Sequence, residues 1–192
     1  MTCAAAILAG GQATRMGGRP KSFLLVGGAR VIERQLPVLR GQFDELLIVA
    51  NDGPLYEPFG LPVVPDLMPG GFGPLIGILS ALEAARSDQV LCVACDMPFL
   101  DPRALALVRD HAPAAEVVVP MVGGREEPLH ARYARSAASA IRAQLASGDY
   151  KVSRFFERVH TVRLDEDTLR ALDPTLHFLQ NVNTPDELAA LE

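Results

Sequence analysis

Short apolar runs alternate along this chain with longer stretches in which apolar residues recur every three or four positions. The runs Cys3–Leu8, Glu45–Ala50, Leu61–Val64, Val90–Ala94, Glu116–Pro120, His130–Tyr133, Val159–Leu164 and His177–Asn181 read as strands. The stretches Arg30–Arg40, Leu75–Ala85, Pro102–His111, Ser136–Ala146, Val152–Arg158 and Pro185–Leu191 read as helices. Pro37 falls inside the first helix and is expected to kink it or end it early. Strands that are apolar on both faces and separated by helices predict a mostly parallel sheet covered on both sides, an α/β fold. Nothing repeats at a fixed period and no linker is rich in Pro, Gly or Ser, so residues 1–192 are expected to form a single domain.

In open α/β sheets ligands bind outside the carboxyl ends of the strands. The informative polar residues follow strand ends: Leu8 leads into a glycine loop, Ala50 into Asn51-Asp52-Gly53, Val64 into Pro65-Asp66 and Ala94 into Cys95-Asp96-Met97-Pro98. Four loops thus converge on one edge.

The loop from Leu8 to Lys21, LAGGQATRMGGRPK, carries Gly10, Gly11, Gly17 and Gly18 together with Arg15 and Lys21. Glycines let backbone N–H groups approach a bulky anion, and successive N–H groups form an anion-binding concavity. The pattern is not a Walker loop, which needs glycine before the lysine where this chain has Pro20, nor the dinucleotide fingerprint, because Gly10 and Gly11 are adjacent. A nucleoside triphosphate is the ligand this loop suggests. Asp96, at the mouth of the most apolar strand, is placed to hold Mg²⁺, which takes one or two carboxylates plus substrate phosphates. Asp101, directly before Pro102, is the better helix-capping candidate. Asn51 reads equally as a turn residue or a nucleotide contact. Asp66 precedes a glycine-rich loop, Leu67 to Pro74, that runs into a helix and serves either as a lid or cradle or simply as a hinge.

Composition sets the remaining bounds. The 192 residues are 49% hydrophobic and 21% charged, with no apolar run long enough for a membrane span, and a soluble, cytoplasmic protein is expected. A net charge of -5 argues against a nucleic-acid partner while leaving room for a small phosphorylated ligand. Cys92 and Cys95 spell C-x-x-C, but residues three apart on a strand point to opposite faces, so both are expected to pack in the core. The four histidines lack metal-ligand spacing, and none is expected to have a chemical role.

With these residues in view, the chain closely resembles the molybdenum cofactor guanylyltransferases, nucleotidyltransferases of Rossmann-like, three-layer α/β/α fold. Leu8, Ala9, Gly10, Gly11, Arg15, Met16, Gly17 and Lys21 match the family pattern L-A-G-G-x3-R-M-G-x3-K. The segments Gly73 to Gly77 (GPLIG), Cys95 to Pro98 (CDMP) and Asn181 to Leu188 (NVNTPDEL) also correspond, so the resemblance spans nearly the whole chain. It implies transfer of GMP from GTP to molybdenum-loaded molybdopterin. It further implies GTP binding by Leu8, Ala9, Gly10, Gly11, Lys21, Asn51, Asp66 and Asp96, with Arg15, Lys21 and Asp96 in catalysis. Mg²⁺ would sit on Asp96. Asn183 matches a metal-holding asparagine of related sugar nucleotidyltransferases, or is simply a turn or cap residue before Thr184-Pro185.

The segment Gly123–Leu129 corresponds to a variable region facing the second substrate, and Lys151 and Arg154 face either the pterin phosphate or solvent. A molybdenum-insertion protein and recipient molybdoenzymes are the implied partners, and a monomer or weak oligomer is expected. Related pterin cytidylyltransferases read L-A-A-G at the Leu8-Ala9-Gly10-Gly11 segment, where glycine would leave room for a purine edge. Sugar-phosphate nucleotidyltransferases are usually longer, with insertions absent here. A cofactor-binding chaperone would bind the same ligands without releasing pyrophosphate.

Overall fold

The structure, a computed structural model, describes residues 1–10, 20–68 and 73–182. Strand β1 (Cys3–Leu8) is followed, after a 3-10 turn at Lys21–Phe23, by a small hairpin of β2 (Leu25–Val26) and β3 (Ala29–Arg30). Then come α1 (Val31–Arg40), β4 (Leu46–Val49), α2 (Gly53–Tyr56), β5 (Val63–Val64), α3 (Pro74–Ala84), β6 (Gln89–Ala94), α4 (Pro102–Asp110), β7 (Val117–Val122), β8 (Arg125–Glu126) and β9 (His130–Ala134). The described chain continues through α5 (Ala138–Ala146), α6 (Val152–Phe155), β10 (Thr161–Leu164) and α7 (Glu166–Leu172).

The main sheet has the order β10-β7-β9-β6-β1-β4-β5, with β8 paired to β7 off that path. It is mostly parallel, as the apolar pattern predicts; β9 runs antiparallel between β6 and β7. Alternation along the strands divides the core into two layers. Ala4, Ala6, Leu8, Val90 and Cys92 face α3, α5 and α6, whereas Ala5, Ile7, Leu91 and Val93 face α1, α4 and α7. The result is a three-layer α/β/α arrangement.

Cys92 lies in the first layer and Cys95 packs against the second, so the C-x-x-C pair does not close one site. Both thiols are free. Burial pushes the Cys95 thiol up to about 12 and Cys92 higher still, which leaves them inert.

Two expectations are corrected. The run His177–Asn181 is not a strand; it opens with a 3-10 turn over His177–Leu179. The Asp173 carboxylate accepts bonds from the backbone N–H groups of Thr175 and His177, a local alternative that outcompetes extended pairing. Pro37 does not end its helix, which runs on to Arg40. Pro37 is on the exposed side, where water can satisfy the carbonyl it leaves unpaired, while Ile32, Leu36 and Leu39 pin the opposite face into the core. The helix expected at Pro185–Leu191 lies outside the described residues.

Asp101 caps α4 by accepting from the Arg103 N–H at 2.7 Å, as expected. Helix α7 was not anticipated, although its cues are present: Asp165 accepts from the Thr168 N–H at 2.7 Å, and Glu166 and Asp167 occupy the first turn. No helix among the described residues is long and apolar enough to cross a membrane.

Candidate active site

Strand register builds the site. Leu8 pairs with Val49 on one side and Ala94 on the other, and Val49 pairs with Val64, so these four residues form one row across the sheet. Two residues beyond that row, in chain order, stand Gly10, Asn51, Asp66 and Asp96. Because the four strands are parallel, all four residues emerge at the same carboxyl edge.

Two adjoining cavities open there. The larger, about 390 Å³, is lined by Leu8, Ala9, Gly10, Lys21, Asn51, Asp96 and neighbouring residues that include Tyr56 and Leu129. The smaller, about 200 Å³, lies against Asp66, Gly73, Pro74 and Gly77, and shares Leu8, Gly10 and Leu129 with the first. Leu8, Ala9, Gly10, Lys21, Asn51, Asp66 and Asp96 are therefore brought together. Gly11, Arg15 and Asn183 fall outside the described residues. Antiparallel β9 contributes Leu129 at its entry, held by a bond from the Ala94 N–H to the Leu129 carbonyl at 2.9 Å.

Around the smaller cavity, Asn51 acts as a bracket for Asp66. Its Nδ2 donates to Asp66 Oδ2 at 2.9 Å, and its Oδ1 accepts from the Asp66 N–H at 2.9 Å. The bracketed carboxylate lies against the Gly10 backbone. A methyl group built on Gly10 would stand 2.7 Å from Asp66 Oδ2, closer than a carbon and an oxygen can approach. The absence of a side chain at position 10 is thus a condition of where Asp66 points. That refines the expectation that glycine leaves room for a purine edge: in this structure the carboxylate fills that room.

Around the larger cavity, Lys21 Nζ lies 2.8 Å from Asp96 Oδ2. The turn that carries Lys21 is anchored by its neighbour Ser22, fully buried, whose Oγ is 2.8 Å from the Tyr56 hydroxyl. Burial raises the Tyr56 phenol to about 12, so it stays neutral beside this cavity. Phe23 packs edge-on against Tyr56 at 5.5 Å between ring centroids. Tyr56 carries no motif, and its role in positioning Lys21 was not legible in advance. The Asp96 backbone is tied to the distal part of the chain, because the Val182 N–H donates to the Asp96 carbonyl at 2.9 Å.

The donor set fits Mg²⁺. Asp96 offers a hard carboxylate at a cavity mouth, and the described residues contain no group of three or more acidic, histidine or cysteine side chains that would form an all-protein cage. A cation held by one carboxylate and completed by phosphate oxygens has this form.

The segment Gly123–Leu129 is also at the carboxyl edge. It contains the tight turn from β7 to β8, in which Val122 pairs with Arg125 and Gly123 and Gly124 both take positive φ. Lys151 is exposed, whereas Arg154 is tied to Asp149 at 3.1 Å.

The sequence profile of the MobA-like NTP transferase domain matches residues 5–164. A "Probable molybdenum cofactor guanylyltransferase" from Pelotomaculum thermopropionicum is 39% identical over 95% of this chain and 88% of its own length. A molybdenum cofactor guanylyltransferase from Mesorhizobium japonicum is 36% identical, covering 95% and 91%. Among solved structures, molybdopterin-guanine dinucleotide biosynthesis protein A from Archaeoglobus fulgidus superposes with a TM-score of 0.83 at 28% identity, over 98% of this chain and 96% of that one. The 2-C-methyl-D-erythritol 4-phosphate cytidylyltransferase of Thermus thermophilus shares the fold alone, with a TM-score of 0.67 at 18% identity over 96% and 95%. The chain belongs to the molybdenum cofactor guanylyltransferase family of MobA-like nucleotidyltransferases.

Proposed function

We propose that this nucleotidyltransferase moves GMP from GTP to the terminal phosphate of molybdenum-loaded molybdopterin and releases pyrophosphate. The observation that carries the reading is the two-part cavity, with the Asn51–Asp66 bracket on one side of Gly10 and the Lys21–Asp96 pair on the other. The base belongs in the smaller part. An ionised carboxylate only accepts hydrogen bonds, and guanine presents adjacent N1–H and N2–H donors that suit Asp66. Cytosine offers an acceptor at N3, which would face that carboxylate unfavourably.

The phosphates belong in the larger part, where Lys21 meets them as a point charge; the family pattern alone assigns Arg15 to the same phosphates. Mg²⁺, held by Asp96 with Asn183 as a further ligand, would neutralise charge on the phosphates. In the transfer itself, a pterin phosphate oxygen bonds to the α-phosphorus of GTP and the bond to the β-phosphate oxygen breaks, so pyrophosphate carries away that electron pair. The attacking phosphate is already anionic and no protein base is required. The contribution of the chain is to position the reactants and stabilise charge. Exposed Lys151 is the better candidate to meet the pterin phosphate, because the Arg154 guanidinium is engaged by Asp149.

Replacing Asp96 tests the reading. The Asp96→Ala protein should melt cooperatively and show GTP turnover reduced by about 10²–10³ or more, by analogy with loss of one charge-stabilising group. Near-normal turnover would remove Asp96 from the mechanism.

A further inference from the structure

We propose that Gln35 is a positioning residue that fixes Asp96 for metal binding, an inference that rests on the reading of Asp96 as the metal ligand. Helix α1 buries Ile32, Gln35, Leu36 and Leu39 on one face, and Gln35 is the polar member of that set. Its side-chain amide has both hydrogens committed to the loop that carries Asp96. Nε2 donates to the Ala94 carbonyl at 2.7 Å and to the Met97 carbonyl at 2.9 Å. These carbonyls stand two residues before and one residue after Asp96, so the amide spans the turn in which the carboxylate is presented. Since both partners are acceptors, they fix which end of the amide is nitrogen.

The geometry separates this contact from ordinary core satisfaction. Gln35 is fully buried, 59 and 62 residues in sequence from the two carbonyls it joins. Its neighbour Arg34 reaches the same loop, with Nε donating to the Pro98 carbonyl at 3.3 Å. On the other side, Cys95 N–H donates to the Leu8 carbonyl and Val182 N–H to the Asp96 carbonyl. The loop is thus held by β1 and the distal chain on one side and by α1 on the other. The α1 contacts to the loop backbone act through side chains, so they can be removed without altering the backbone elsewhere. An apolar side chain at position 35 would leave two buried carbonyls without donors, and the loop would turn to find others, carrying Asp96 with it.

The test uses the full chain with Mn²⁺ as a paramagnetic probe, titrated by electron paramagnetic resonance in the presence of saturating GTP. Gln35→Met and the milder Gln35→Asn should weaken Mn²⁺ binding, the former by about 10–100-fold, the usual cost of losing a group that orients a metal ligand. Turnover of Gln35→Met should recover as Mg²⁺ is raised, and GTP affinity without metal should stay within about twofold of wild type, because Gln35 lies behind the cavity wall and does not itself line it. Unchanged Mn²⁺ affinity in a folded variant, or loss of fold in both, would make Gln35 a packing residue and overturn the proposal. An Asp96→Ala protein measured alongside separates the two levels: wild-type Mn²⁺ affinity there would refute the metal reading of Asp96 itself.

Discussion

Lys21 and Asp96, 75 residues apart in sequence, form an ion pair at 2.8 Å across the mouth of the larger cavity. Each is thereby engaged by the group that its own proposed ligand must displace. A triphosphate draws Lys21 away from the carboxylate, and a cation on Asp96 repels the ammonium. With side chains 36% and 13% exposed, the pair lies between the surface and buried limits, so exchanging partners is inexpensive. On the proposed reading, Lys21 would act as a resident counter-ion that competes with the metal until nucleotide arrives.

Lys21→Met is accordingly expected to have opposite effects on the two ligands. The kcat/KM for GTP should fall by about 10²–10³ through the lost phosphate contact. Mn²⁺ binding in the absence of nucleotide should strengthen, as read by electron paramagnetic resonance. Unchanged metal affinity in the variant would show that the ion pair does not compete with the cation.

Gly10→Ala tests the contact between the glycine backbone and Asp66. The added methyl group, 2.7 Å from Oδ2, must push the carboxylate out of its Asn51 bracket. The GTP KM should rise by about tenfold, within the ~1–3 kcal/mol that one methyl group commands in a binding site. A double-mutant cycle identifies the cause. In an Asp66→Ala background the clash has no target, and Gly10→Ala should then add little further loss. Additive losses would place the effect elsewhere than at Asp66.

His130 predicts an acid limb in stability. The ring is fully buried beside Phe178 at 5.3 Å, with neither nitrogen bonded to any described residue, and burial lowers its pKa from 6.5 to about 4. The unfolded chain therefore binds a proton between those values that the folded chain excludes. Stability from this group is complete above about pH 6.5 and falls as the pH drops toward 4, by about 3 kcal/mol at the most. His130→Phe should flatten that part of the profile in urea unfolding measured from pH 7 to 4. A variant with the same acid slope as wild type would assign the slope to other groups.

The contrast between what was legible and what was not follows from the range of each interaction. The uninterrupted apolar runs of β1 and β6 announce in the sequence itself a sheet covered on both faces, and the parallel register then brings Gly10, Asn51, Asp66 and Asp96 to one edge. Local patterns failed where a side chain redirected the backbone, as Asp173 does ahead of His177. The capping cues of α7 were readable in Asp165 and the acids after it, but the segment is too short to show a strong apolar period. Gln35 was visible as a polar residue in the register of Ile32, Leu36 and Leu39, yet its partners are about sixty residues away. His130 and Arg132 are polar residues buried within β9, and no periodicity announces the carbonyls that the Arg132 guanidinium satisfies at Arg109 and Ala112. The pairing of Lys21 with Asp96 is likewise a product of the fold.

The central claim is guanylyl transfer to the pterin, and product analysis tests it most directly. Purified protein with Mg²⁺ and molybdenum-loaded molybdopterin is supplied with GTP or CTP in separate reactions, and pyrophosphate and the dinucleotide product are quantified by mass spectrometry. GTP should yield the guanine dinucleotide and one pyrophosphate per product, with CTP giving little of either. Product from CTP and none from GTP would contradict the assignment of Asp66 to guanine, and nucleotide binding without pyrophosphate from either would contradict catalysis itself.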